Sequence, residues 1–146
     1  MIDQENDLQL ASELRMVITR LIKKLRSKAS ASDKLSLTER STIVLLDQHK
    51  ELFPNELAAM EKVTTQSMSQ ILNHLVELGY INRRISNTDR RKAIISLSEK
   101  GQQMLHQVRN ERDEWLNRAL AETCSAEEQE ILRQALSPLT KLVDFN

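Results

Sequence analysis

The chain has 146 residues, which at about 100 to 200 residues per domain allows one hydrophobic core with helical extensions and excludes two cores. Hydrophobic residues make up 40% of it, and 21 Lys plus Arg balance 21 Asp plus Glu. A packed, soluble protein burying roughly 68% of its unfolded surface is expected, with no global charge to draw it to a polyanion or a membrane. Two glycines, two prolines and one cysteine exclude a many-turned sandwich or barrel, an intrachain disulfide framework and a cysteine-rich zinc site.

A mainly α fold is therefore predicted. Met1 to Leu10 lacks the basic start and the apolar run of about 7 to 15 residues of a secretory signal, and no membrane-length apolar stretch occurs. A cytoplasmic protein without a membrane partner is expected.

Ala11, Leu14, Ile18, Leu21 and Leu25 recur at three- and four-residue spacing, predicting an amphipathic helix over Leu8 to Lys28. The small polar residues from Ser27 to Asp33 read as a loop. Thr38 stands as an N-cap candidate before the buried run Ile43 to Leu46, giving a second helix from Thr38 to His49. Pro54 suits a first helical turn, and a short helix continues from Glu56 to Lys62. After a turn at Val63, Thr64 can cap a fourth helix whose apolar side is Met68, Ile71, Leu72, Leu75 and Leu78, with Gly79 as the left-handed residue that ends it. Beyond Gly79 the period changes. Tyr80 to Ile85 and Lys92 to Leu97 are β-branched runs joined by the turn formers Ser86, Asn87, Thr88 and Asp89, predicting a hairpin. Helix resumes at Gly101, breaks at Thr123 to Ser125, and restarts behind a capping box of Ser125 and Glu128, with Pro138 as a candidate kink.

Charge is not spread evenly along this chain. From Asn82 to Lys92, five cations (Arg83, Arg84, Arg90, Arg91, Lys92) face one anion (Asp89), a net +4 in eleven residues, so the other 135 sum to −4. A basic strip at a hairpin suits phosphate binding, because each neutralised phosphate releases condensed counterions. A solvated hairpin that protects its edges with arginine is the alternative for this strip taken alone. The fourth helix tips the balance. With its apolar side inward, Gln66, Gln70, Asn73 and Glu77 share the opposite face, flanked by Ser69, while Thr64, Thr65 and Ser67 stand at its N-terminus. Amides and hydroxyls so placed suit base edges and phosphates in a major groove, and His74 is a further candidate for phosphate contact. Short helix, tight turn, capped helix and basic hairpin, in that order, are the parts of a winged helix-turn-helix.

At this point the residues are similar to those of the MarR family of bacterial transcription regulators. The likeness runs through Leu37-Thr38-Glu39, Pro54-Asn55-Glu56-Leu57-Ala58, Val63-Thr64-Thr65-Gln66-Ser67-Met68-Ser69, Leu75-Val76-Glu77-Leu78-Gly79-Tyr80-Ile81, Thr88-Asp89-Arg90-Arg91-Lys92 and Ser96-Leu97-Ser98-Glu99-Lys100-Gly101. The resemblance implies a DNA-binding domain over residues 37–101, between an N-terminal dimerisation helix and loop (1–36) and C-terminal dimerisation helices (102–146). It also implies a homodimer on double-stranded DNA, and a repressor released by a small aromatic or amphipathic effector. It gives Arg91 the minor groove and Asp89 the task of orienting the wing. Lys62 stands where relatives often carry glycine, so a left-handed conformation there would cost about 1 kcal/mol. Ser41 and Thr42 replace a bulkier pair.

The apolar stripes of the terminal helices exceed what a winged domain of about 65 residues can cover, so they need each other, as a monomeric helical cap, or a partner chain, of which a two-fold dimer is the expected one. No Gly-rich phosphate cradle, nucleophile motif or metal spacing is present, so neither catalysis nor a cofactor is expected. His49, His74 and His106 lie far apart, and Cys124 at an interhelical break reads as structural or incidental rather than as a redox sensor. The competing function is a winged helix that binds protein rather than DNA, since fold alone does not fix function.

Overall fold

The computed structural model describes residues 4–28 and 34–146, which form six helices and one three-stranded sheet among the described residues. In chain order these are α1 (Gln4–Arg26), α2 (Leu37–His49), β1 (Glu51–Leu52), α3 (Pro54–Glu61), α4 (Thr65–Glu77), β2 (Ile81–Ile85), β3 (Ala93–Leu97), α5 (Glu99–Thr123) and α6 (Ala126–Val143). The mainly α winged-helix architecture is the expected one. The chain divides into two compact units, residues 29–110 and residues 1–28 with 111–146.

The first unit holds the hydrophobic core. Ile43 and Leu46 of α2, Leu57 of α3, Met68, Leu72 and Leu75 of α4 and Ile95 of β3 are all at most 1% exposed. These are the apolar positions at helical spacing in α4, so its buried side is the predicted one, with Ile71 partly buried beside them. The strand order is β1-β3-β2, antiparallel throughout, with Ile81 opposite Leu97 and Ile85 opposite Ala93.

Several boundaries differ from the sequence reading. α1 starts at Gln4 rather than Leu8, and most of the loop expected over Ser27 to Asp33 lies outside the described residues. The cap of α2 is Ser36, not Thr38: Ser36 Oγ accepts from Glu39 N–H while the Glu39 carboxylate accepts from Ser36 N–H, a reciprocal pair that satisfies two otherwise orphaned donors. Thr38 instead lies inside the helix, where its carbonyl accepts from the Thr42 hydroxyl at 2.8 Å. Thr42 is fully buried, and Ser41 Oγ donates to Glu61 Oε1 of α3 at 2.5 Å. Ser41 thus ties α2 to α3, while the buried Thr42 hydroxyl is satisfied within α2 itself. Strand β1 was not expected. Its two residues carry too little pattern to be seen, and only pairing with Ser96 and Ile95 makes it a strand. α5 begins at Glu99, two residues before the expected Gly101, because Ser98 Oγ accepts from Gly101 N–H and starts the helix early. α6 runs through Pro138 behind the Ser125 and Glu128 box.

The junction of α4, the wing and α5 is tightly specified. Gly79 takes φ 79°, the left-handed value predicted for it. Ser98 Oγ donates to Gly79 O at 2.5 Å, and Ser98 N–H donates to Tyr80 O. A Cβ on Gly101 would sit 2.1 Å from Tyr80 O, so only glycine allows α5 to approach this closely. Lys100 Nζ donates to Leu78 O at 2.9 Å and lies over the Tyr80 ring.

In the second unit, α1 and α6 leave large apolar side chains in solvent. Leu8, Leu10 and Val17 of α1, and Ile131, Leu136 and Val143 of α6, are each more than half exposed, and α6 buries no residue. Gln129 Nε2 donates to Leu120 O and Cys124 O, bracing α6 against the end of α5. Cys124 is half-buried beside Thr123.

Lys62 ends α3 in the left-handed conformation, φ 54° and ψ 43°, with Val63 N–H bonded to Ala58 O at 3.0 Å. Glycine has no Cβ penalty there, so Lys62→Gly is expected to stabilise the chain by about 1 kcal/mol, read as a higher urea midpoint. An unchanged or lower midpoint would show that the turn carries no strain.

Candidate nucleic-acid interface

Two elements form the exposed polar surface of the winged unit: the outer face of α4 and the wing made by β2, β3 and their connection. Thr64 starts α4 with φ −70° and ψ 157°, its Oγ1 accepting from Ser67 N–H at 3.0 Å and donating to Ser67 Oγ at 2.9 Å. Burial of Met68, Leu72 and Leu75 at 100° per residue turns Gln66, Gln70, Asn73 and Glu77 to solvent, and all four are exposed. Thr65, Ser67 and Ser69 are exposed too. The Ser69 hydroxyl is turned back onto Thr65 O at 3.0 Å, which leaves the amides of Gln66, Gln70 and Asn73, with the carboxylate of Glu77, as the polar groups reaching out from this face.

The wing connection is built around a buried serine. Ser86 is only 3% exposed; its Oγ accepts from the N–H groups of Thr88 and Asp89, while its own N–H donates to Lys92 O at 2.9 Å. Asp89 then grips Arg91 three times: Oδ1 accepts from the backbone N–H (3.1 Å) and from Nε (3.2 Å), and Oδ2 accepts from Nη2 (3.4 Å). The Arg91 side chain is nevertheless 91% exposed, so the carboxylate aims the guanidinium without covering it. These Arg91 contacts, its side chain first, hold the Asp89 carboxyl below the usual carboxylate range, helped by the charge of Lys92 and opposed by desolvation. Lys92 Nζ stands 5.2 Å from the centre of the Phe53 ring, and Arg90 is exposed.

Three of the candidate residues have partners that local sequence patterns do not announce. Arg84 Nη2 donates to Glu51 Oε1 at 2.9 Å, reaching from β2 across β3 to β1, so one of its donors braces the sheet. His74 Nδ1 lies 2.6 Å from Glu39 Oε1, joining α4 to α2; this nitrogen is engaged within the protein and not available to phosphate. Arg83 Nη2 donates to Asn73 Oδ1 at 3.2 Å and links the wing to α4. Glu39, Glu51 and Ser98 are the residues that sequence reasoning missed here. The Ser-x-x-Glu spacing from Ser36 to Glu39 is a signal that could have found the first. The second required knowledge of β1.

Comparison with known proteins agrees with this geometry. Residues 34–92 match the model of the MarR family. Over 140 residues, 96% of each chain, the protein is 33% identical to an HTH-type transcriptional regulator of Mycobacterium tuberculosis. The chain belongs to the MarR family of transcriptional regulators. A Pseudomonas aeruginosa protein classed among the transcriptional regulators superposes with a TM-score of 0.79 at 31% identity, covering 96% of this chain and 98% of that one. A Staphylococcus aureus MepR mutant bound to an oligodeoxyribonucleotide shares the fold with a TM-score of 0.71 at 22% identity, covering 92% and 97%. This MarR-family chain has, among its described residues, no cluster of three or more potential metal ligands and no helix long and apolar enough to cross a membrane.

Because the Asp89 pKa is lowered, the Asp89–Arg91 pair contributes above the ordinary aspartate value and is lost as pH falls through the lowered one. NMR titration of the Asp89 carboxyl should give a midpoint below about 3.9, moving up toward that value in Arg91→Ala. A wild-type midpoint at or above it would show that the pair does not form in solution.

Proposed function

We propose that this MarR-family chain is a sequence-specific, homodimeric repressor of a pseudo-palindromic DNA operator. In this reading residues 37–101 bind DNA, while residues 1–36 and 102–146 carry the dimer. α4 enters the major groove, with Gln66, Gln70 and Asn73 at base edges and Thr64, Thr65, Ser67 and Ser69 near phosphate. Arg91 enters the adjacent minor groove, and Arg83, Arg90 and Lys92 supply positive charge. Arg84 and His74 support this surface through Glu51 and Glu39. The observation that carries the proposal is the Asp89-held, solvent-exposed Arg91 guanidinium on the wing of the same unit as an amide-rich, exposed face of α4. The S. aureus MepR mutant of the same fold, bound to an oligodeoxyribonucleotide, supports it.

The dimer rests on the exposed apolar residues of α1 and α6, whose burial would gain about 25 cal/mol per Å². Two copies would present α4 helices about 34 Å apart, one helical turn of DNA. An aromatic or amphipathic effector, proposed from the family resemblance, would lift repression only by binding better to a dimer whose helices are wrongly spaced.

Fluorescence anisotropy on a duplex from upstream of the chain's own gene tests the DNA reading. Affinity should fall with salt at a logarithmic slope near −0.9 per phosphate contacted. Arg91→Ala should weaken binding, most where the flanks are A·T-rich, and Gln66→Ala should relax base preference by about 1 to 3 kcal/mol. Equal affinity of wild type and Arg91→Ala would remove the wing from the interface. Light scattering after size exclusion should give twice the chain mass of 16.8 kDa at micromolar concentration, and a species of 16.8 kDa alone would refute the dimer.

A further inference from the structure

A second cationic tract lies outside the wing. From Arg15 to Lys28 the chain carries six cations (Arg15, Arg20, Lys23, Lys24, Arg26, Lys28) and no anion, a net +6 in fourteen residues against +4 in the eleven of the wing. All six are exposed, and none pairs with a carboxylate among the described residues. The helix that carries them is two-sided. At 100° per residue, Ala11, Leu14, Ile18, Leu21 and Leu25 form the apolar stripe of α1, and Arg20, Lys23 and Arg26 stand on the opposite side with Met16 and Thr19 between them. Arg15 and Lys24 flank that side. Lys28, just past the end of α1, has its Nζ 5.6 Å from the centre of the Trp115 ring.

Two ordinary explanations fall short. Cations in the last turn suit the negative end of a helix dipole, which accounts for Lys23, Lys24 and Arg26. That attraction fades within one turn, whereas Arg20 and Arg15 lie six and eleven residues before the end of α1. A solvated helix face gains stability by setting Glu four residues from Lys or Arg. Here Arg20, Lys24 and Lys28 are like charges at that spacing, and Lys23 lies three residues from both Arg20 and Arg26. The tract repels itself along this side, and a polyanion laid against it removes the repulsion.

The apolar stripe decides which polyanion. A helix lying on an anionic bilayer buries its apolar side in the acyl chains, but in the dimer reading above the exposed apolar side chains of α1 are covered by a second copy. That copy leaves the cationic side, opposite the stripe, in solvent. What remains is a ligand met by charge alone. Duplex DNA presents one phosphate per about 3.4 Å of each strand along the roughly 16 Å from Arg15 to Arg26.

We propose that the cationic side of α1, built by Arg15, Arg20, Lys23, Lys24 and Arg26, is a second DNA-binding surface, one that grips phosphate without reading bases. This rests on the DNA-binding and dimer readings above.

The test is fluorescence anisotropy of the full-length chain on two duplexes, one from upstream of its own gene and one of scrambled sequence, titrated with salt. One variant, Arg20→Gln/Lys23→Gln/Arg26→Gln, removes three charges, and a second, Arg20→Lys/Lys23→Arg/Arg26→Lys, keeps them. The neutral variant should bind both duplexes about 10-fold or more weakly at low salt and leave the ratio between them unchanged. Its logarithmic salt slope should flatten by about 0.9 for each lost charge that met a phosphate. The charge-conserving variant should bind as the wild type does, because a phosphate held as a point charge accepts either cation. Wild-type affinity and slope in the neutral variant would overturn the proposal while leaving DNA binding by α4 and the wing intact. So would a neutral variant that is monomeric by light scattering where the wild type is dimeric, since the cationic side would then belong to the partner chain. Wild-type binding to phosphatidylserine vesicles that the neutral variant loses would assign the surface to a membrane instead. A wild type that binds neither duplex would defeat the DNA-binding reading and this proposal with it. The three positions are exposed, so circular dichroism should show all three proteins equally folded.

Discussion

The hydroxyl of Ser98 stands where α4, the wing and the long α5 helix meet. It donates to the carbonyl of Gly79, accepts from the amide of Gly101, and so closes three chain segments on one atom. The geometry depends on two glycines for different reasons. Gly79 must take a positive φ to end α4, and Gly101 must have no side chain, since any Cβ would overlap the Tyr80 carbonyl. The end of α4 and the root of the wing are therefore fixed to each other by backbone contacts, and the spacing between helix face and wing tip is set before any nucleic acid is met.

On that frame the charged side chains are ordered by one another rather than buried. Asp89 aims Arg91, Glu51 holds Arg84, and Asn73 receives Arg83, all in exposed or half-exposed positions. Ion pairs in water contribute little to stability. What they supply is orientation, which lowers the entropy lost when a guanidinium engages a ligand. The buried exception is Glu39, 8% exposed, whose two oxygens are divided between the Ser36 amide and the His74 ring. One carboxylate thereby begins α2 and anchors α4, a use of a buried charge that is tolerable because its hydrogen bonds are supplied by fixed partners.

Much of this could be read from the chain because its signals are local. The Thr64 cap, the buried side of α4, the left-handed Gly79 and the hairpin each declare themselves within a few residues. What was illegible depends on distant partners. β1 is a strand only because β3 lies beside it, and Arg84 is a brace only because Glu51 arrives from 33 residues earlier. The Glu39–His74 contact spans 35 residues. Ser36 was passed over for Thr38 for a local reason: Thr38 lies closer to the apolar run, yet only Ser36 has a glutamate three residues on to complete the reciprocal bonds.

The balance of 21 acidic and 21 basic residues gives the chain no net charge, while the eleven residues of the wing segment carry +4. The other 135 residues sum to −4, and a chain so unevenly charged near a polyanion feels a torque before it feels a net pull. An encounter led by the wing segment meets a polyanion with that segment's positive charge, so the uneven arrangement favours one direction of approach as well as a contact.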